Sequence, residues 1–309
     1  MARTSWKLGL LLGAGALAAC GQTADAPSEP LEVPPPPVAE APADEMPAAN
    51  PLKNAYFGDL HVHTRNSFDA YIFNTRATPD DAYRFAKGEA IDNGAGFQIQ
   101  LGGPALDFLA VTDHGEYIGI IPQMATLGTE LNRTETAQSI FGLVAQDRRG
   151  NFLRIGQTVV NGEEIEDIYD REMMDSVWAD TIEAAERHNE PGRFTTFAGY
   201  EFTAMVQVTD TGAANLHRNV IFEDGAPTRL FSTLDSTNPE DLWVWMDGQR
   251  EAGRDVLAIP HNSNASNGQM FALTRYNGEA LDAEYGNNRM RNEPLVEITQ
   301  LKGTSETHP

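Results

Sequence analysis

YFGDLHVHTRNSFDA, residues Tyr56 to Ala70, places two histidines and two carboxylates on what reads as the end of one strand. Side chains at i and i+2 of a strand point to the same face, so His61 and His63 can reach one metal ion where the strand meets a cavity. Two surface histidines on an edge strand would give the same H-x-H pattern. The residues further along the chain decide between these readings.

Working outward, the opening strand is expected over Ala55 to Leu60. Thr78-Pro79-Asp80-Asp81 supplies a cap, a proline at the first helical position and acid in the first turn, so a helix is expected to run to Lys87 and end at Gly88. Asp107 to Thr112 is almost continuously apolar, as in a parallel strand covered on both faces. It delivers Asp113 and His114, with Gly115 allowing a sharp exit. Glu116 to Asp170 is polar and weakly periodic, and is expected to decorate the active-site face.

A helix is expected from Asp175 to His188, which should face solvent. Arg193 to Phe202 reads as a strand ending in Glu201, and Leu216 to Phe222 as another with His217 near its start. Asn238 opens a helix that Gly253 ends, the strand Val256 to Ile259 leads into His261, and Leu295 to Thr299 reads as a last strand. Strands alternating with helices predict a parallel α/β architecture.

Composition bounds the function. The 309 residues include 45 Asp and Glu against 22 Lys and Arg, for a net charge of -23. That balance argues against nucleic acid, whose phosphates demand basic residues. A small anionic substrate stays open, because bound divalent cations reverse the local field.

The N-terminus reads as an address. Arg3 and Lys7 precede a short apolar run, and Leu17-Ala18-Ala19-Cys20 resembles the lipobox of bacterial lipoproteins. Residues 1–20 are then a lipoprotein signal peptide, and Cys20, the only cysteine, is the lipidation site. Gly21 after it fits export to the outer membrane, facing the periplasm. Residues 21–52 are rich in Pro, Ala and Glu and read as an extended, disordered tether, leaving 53–309 as the folded domain.

Four features fall at the C-terminal ends of expected strands: His61 with His63, Asp113 with His114, Glu201, and His261. Barrel enzymes carry their chemistry at that face. Mixed histidine and carboxylate sets without cysteines suit zinc, manganese or iron. Two or more metals sharing a carboxylate is the natural solution for so many donors, and such clusters activate water.

H-x-H-T-x-x-S-x-D, then T-D-H, a strand-end Glu and a strand-end P-H resemble the PHP superfamily of polymerase and histidinol phosphatase metallohydrolases. FGDLHVHT, AVTDHGE, GYEFT, NLHRNVIF, AIPHNSN and QLKGTSETHP more closely resemble the exported family called domain of unknown function 3604. The resemblance covers about residues 53 to 309. It implies a distorted seven-stranded (β/α) barrel with two or three divalent transition metal ions (Zn, Mn or Fe).

Carried over by residue, the resemblance implies that His61 and His63 hold the first metal and Glu201 bridges it to a second, completed by His217 and His261. Asp69 and His114 would hold a third. Asp113, a catalytic candidate, is then a ligand or the acceptor orienting an imidazole, and as an alternative it caps the following turn. The superfamily's late D-x-H motif is expected beyond Pro309, so the chain is expected to be C-terminally truncated and its barrel incomplete. Glu306 and His308 have the i, i+2 relation of that motif, but the resemblance assigns them to an earlier place.

The expected activity is metal-dependent hydrolysis of a phosphoester or related ester in a small molecule. Arg218 is a candidate to bind an anionic substrate group, or else to pair with a carboxylate; Asn262 and Asn264 would bond substrate or cap a turn. The alternatives are hydrolysis of C–N or carboxylic ester bonds, and a surface lipoprotein that binds metal or ligand without turnover.

Overall fold

The computed structural model describes residues 50–209 and 212–305. The expected signal peptide, Cys20 and nearly all of the expected tether, together with Glu306 and His308, lie outside the described residues.

In chain order, β1 (Gly58–Val62) is followed by α1 (Phe68–Ile72) and α2 (Pro79–Ala86). Two short strands, β2 (Ile91–Asp92) and β3 (Gln98–Ile99), precede β4 (Phe108–Val111). Helices α3 (Ile120–Ala125), α4 (Glu135–Phe141), α5 (Arg148–Asn161) and α6 (Arg171–His188) lead to β5 (Thr195–Phe202). The hairpin β6 (Met205–Thr209) and β7 (Gly212–Asn215) is followed by β8 (Arg218–Phe222), α7 (Pro239–Glu251) and β9 (Val256–Pro260). Helix α8 (Ala283–Asn292) and the short β10 (Thr299–Gln300) and β11 (Gly303–Thr304) complete the described chain.

The main sheet has five strands in the order β1-β4-β5-β8-β9. β1, β4 and β5 are parallel, while β8 is antiparallel to both neighbours. The protein is therefore a mixed α/β fold around a sheet richer in parallel than a hairpin meander would be. The expected seven-stranded barrel is not shown: among the described residues the main sheet has five strands, and no backbone ladder joins β9 to β1. The sheet is nonetheless strongly curled. Asn219 on β8 donates from Nδ2 to the Leu60 carbonyl on β1 at 2.9 Å, and the rings of His61 and His261 lie 4.1 Å apart.

Helix starts follow local chemistry. Thr78 and Asp81 form a reciprocal capping box ahead of α2, with Pro79 at the first position. Asn238 caps α7, accepting from the Glu240 amide at 2.9 Å. Helix α6 begins a turn before the expected Asp175. Asp170 is its cap, accepting from the Met173 amide at 3.0 Å, whereas Asp175 lies inside and pairs with Arg171 at 3.1 Å.

The polar region after Glu116 corrects a second expectation. Rather than only decorating the site, it contributes Tyr117, Ile118, Ile120, Ile121 and Met124 to the main core, all essentially buried. They join Trp178 of α6, Phe202 and Phe222 of the sheet, and Leu242, Trp243 and Met246 of α7. A smaller core packs Tyr83 and Ala86 of α2 against Leu109 and Val111 of β4. His188 does not face solvent freely: its Nε2 lies 3.0 Å from Asp80, and its ring stacks on Tyr83. Among the described residues, no helix is long and apolar enough to cross a membrane.

Candidate metal centre

Six side chains reach one end of the sheet because of strand direction. His61 and His63 leave the C-terminal end of β1, His114 follows β4, Glu201 lies at the end of β5, and His261 follows β9. β8 runs the other way, so His217 must precede its start to arrive at the same end. The main chain locks these ends together. Gly115 donates its amide to the Glu201 carbonyl and Glu201 to the Asp113 carbonyl, both at 2.9 Å, and His261 donates to the His217 carbonyl at 3.2 Å.

Gly115 is required by packing rather than by a turn, because a Cβ there would come 2.9 Å from the Tyr200 ring. The side chain after the T-D-H motif thus has no room toward β5.

Glu201, fully buried, is the hub. Its Oε2 lies 2.7 Å from His63 Nε2, 3.5 Å from His61 Nε2 and 3.4 Å from His114 Nδ1. Its Oε1 lies 2.6 Å from His217 Nδ1 and 2.9 Å from His261 Nε2. The two carboxylate oxygens thus face different sets of imidazoles, as a bridging ligand's must.

Asp69 forms a second focus. Ser67 Oγ and the Ala70 amide donate to its Oδ1 at 2.8 and 2.6 Å, aiming the carboxylate at His63 Nδ1, 3.2 Å away, and His114 Nε2, 3.4 Å from Oδ2. His114 is further fixed by Thr203 Oγ1 at 2.6 Å from Nδ1 and by the Phe68 ring stacked on it. Among the described residues, three groups of donors have ligand atoms within 4.8 Å of one another: His61, His63 and Glu201; His63, Asp69 and His114; His114, Glu201 and His217.

Burial raises the energy of the Glu201 carboxylate, but the surrounding imidazoles hold it well below the usual range. Burial and then its histidine partners act likewise on Asp69, which is also lowered. The imidazoles divide into two sets. Burial lowers His63, yet Asp69 and Glu201 overcome it and push the ring up to about 10. His61 is raised by Glu201 and Glu297 against the same burial. Burial wins at His217, which is lowered, and at His261, which falls to about 4.

Metal ions fit this set of donors. His217 Nε2 and His261 Nδ1 are buried with no hydrogen-bond partner among the described residues. Five imidazoles around one buried carboxylate need protons or cations, and crowding disfavours a proton on every ring. Nitrogen and carboxylate donors without thiolates match zinc, manganese or iron.

Two catalytic candidates do not join the cluster. Both Asp113 oxygens are taken by Thr64, at 2.5 Å to its amide and 2.6 Å to its hydroxyl, so Asp113 ties the end of β1 to the end of β4. Burial pushes its carboxyl up. Its side chain bonds Thr64 rather than its own following turn. Arg218 faces away from His217, as strand alternation requires, and its Nε pairs with buried Glu293 at 2.7 Å. It does not reach the histidines. Asn262 sits in the left-handed region (φ 56°) and its side chain bonds Asn264 at 2.5 Å, so this pair shapes the turn after β9.

Glu297 and Lys302 were not foreseen. Glu297 Oε2 stands 3.5 Å from His61 Nδ1, while the Gln300 side chain and the Asn262 amide hold its other oxygen at 2.7 and 3.3 Å. Its place inside the apolar run Leu295 to Thr299, where an acid is out of pattern, was the available signal. An open cavity of about 680 Å³ lies over His61, His63 and Asp69, with Glu297 and Lys302 in its wall.

Residues 50–309 match the family described as "Protein of unknown function (DUF3604)". No curated protein matches the chain.

Proposed function

We propose, from the premise that this chain belongs to the family described as Protein of unknown function (DUF3604), that it is a metal-dependent hydrolase of phosphoesters or related esters. The observation that carries this reading is the division of Glu201's two oxygens between His61 with His63 on one side and His217 with His261 on the other. His61, His63 and Glu201 would hold one ion, and Glu201, His217 and His261 a second. Asp69 and His114 supply donors for a third. When bound, such ions supply Lewis acidity and an acidified water.

The chain's own residues then do the rest. Glu201, fully buried and in contact with both histidine sets, would set their separation. Thr203 holds His114 through Nδ1, leaving Nε2 toward Asp69. Lys302 stands in the wall of the 680 Å³ cavity beside Asp59, Asp69 and Glu297, and would meet an anionic substrate group once bound cations offset those carboxylates. That cavity admits a small molecule rather than a polymer.

PHP-superfamily membership and the seven-stranded barrel belong to the same proposal, and the curl that brings His61 against His261 supports them. Export and lipid anchoring through Cys20, on the outer membrane facing the periplasm, rest on the sequence Leu17 to Cys20.

The test is turnover of a phosphomonoester and phosphodiester panel, beside amides and lactones, with Zn, Mn or Fe added back after chelation. Metal content and turnover should fall together in His61→Ala. Undiminished turnover in that variant would refute the reading, and stoichiometric metal without turnover on any of these substrates would favour a binding protein.

A further inference from the structure

Arg218 leads to a second site on the opposite face of β8. Its guanidinium is 2% exposed and forms the floor of a cavity of about 350 Å³ between β8, α7 and α8. That size is at the small end of pockets that take organic ligands.

The charges on this floor do not balance. Glu293 Oε1 accepts from Arg218 Nε at 2.7 Å and from the Trp243 indole at 2.8 Å, and its Oε2 accepts from Arg289 Nε at 3.0 Å. Two guanidiniums therefore share one carboxylate, leaving a surplus positive charge in a largely buried place. Burial first, and then Arg289 as a like charge, pull Arg218 below the usual range.

Donors are also left over. Arg218 Nη1 is bound to the Leu216 carbonyl, but among the described residues Nη2 meets the Met270 sulfur alone, at 3.6 Å, a weak acceptor. A guanidinium carries five N–H donors, so Arg218 keeps capacity for an oxyanion. The rim carries the opposite surplus: Arg275 lies 2.8 Å from Asp282 and 3.9 Å from Glu240. Asp282 is 56% exposed, so water and salt screen it; Glu240, 22% exposed, accepts from the Tyr276 amide at 2.6 Å and faces Arg275, and the floor is screened little.

The walls are aromatic. Trp243, Tyr276 and Tyr285 line the cavity, and Arg289 lies over the Trp243 ring at 5.7 Å. We propose that this cavity binds a small organic carboxylate with an aromatic or apolar body, its oxyanion on Arg218 beside the positive charge of Arg289, whose nitrogens bond Glu293, Tyr285 and the Met270 carbonyl, and its body against Trp243 and Tyr285. The site is separate from the histidine cluster, and does not depend on what that cluster catalyses.

Benzoate is the probe, titrated calorimetrically into the full chain in the presence of chelator, with benzamide as the neutral molecule of the same shape. Benzoate should bind saturably and benzamide should not. Arg289→Met should weaken benzoate by about tenfold or more, while Arg289→Lys, which keeps the charge, should lose less. Ala272→Phe, which fills the cavity without touching a charge, should abolish binding and covers the case in which Arg289→Met does not fold. His61→Ala should bind benzoate as the wild type does. Absence of saturable binding by the wild type, equal binding of benzamide, full retention in Ala272→Phe, or loss in His61→Ala would each overturn the proposal.

Discussion

Glu201 and Asp113 show how two buried carboxylates, far apart in the chain but on neighbouring strand ends, take different work. Glu201 meets imidazoles through both oxygens, whereas Asp113 spends both on Thr64, the residue after His63. Asp113→Ala should therefore destabilise the fold by about 3 kcal/mol in urea melts and weaken metal binding about tenfold, because His63 loses its anchor. Asp113→Asn, which still accepts from the Thr64 amide, should recover most of both. The histidines add a pH signature to the chelated protein. His63, raised to about 10, stabilises the fold fully below its unfolded value of about 6.5 and loses that contribution as pH rises through 10. His261, lowered to about 4, does the reverse: its contribution is present above about 6.5 and is lost as pH falls toward 4. The melting temperature in chelator should therefore decline on both sides of about pH 6.5, and a flat profile from 4 to 10 would contradict the cluster's electrostatics. Single residues were legible where strand period fixed them. His61 and His63 shared a face on that ground, and the same rule, applied to adjacent His217 and Arg218, separates them. Of the run Leu295 to Thr299, expected as a strand, only Thr299 is paired, in β10, so strand period did not place Glu297.

At the scale of elements, β1 depends on one glycine. A Cβ on Gly58 would run into the Phe108 carbonyl and ring on the neighbouring strand, and backbone cannot swing aside as a side-chain tip can. Gly58→Ala should cost about 3 kcal/mol and, by displacing β1, reduce metal loading as well; circular dichroism melts with metal analysis check both. Caps and apolar runs made most long elements readable: Thr78, Asn238, and the run Asp107 to Thr112 each predicted an element that is present. Helices α3, α4 and α5 were not readable. They are short or weakly amphipathic, and their burial comes from tertiary packing around Tyr117 and Ile121 rather than from a sustained period. The hairpin of β6 and β7 escaped for a similar reason, since GAAN carries little strand propensity.

Over the whole molecule, the sheet is what converts scattered histidines into one site. Its parallel strands deliver side chains to one end, and its antiparallel β8 delivers His217 there from the start of the strand rather than its finish. Alternation of strands and helices announced the α/β class, but it carried no information on the direction of β8, because a strand reads alike in either sense. Curling then brings the outermost strands' histidines within 4.1 Å, a closure made by side chains rather than by a backbone ladder. The most direct measurement is the metal content of the purified chain after equilibration with zinc, compared with Glu201→Gln. Two or more ions per wild-type chain, falling to one or none in Glu201→Gln, is the expected result. One ion or fewer in the wild type, or equal loading in the variant, would contradict a centre bridged by Glu201.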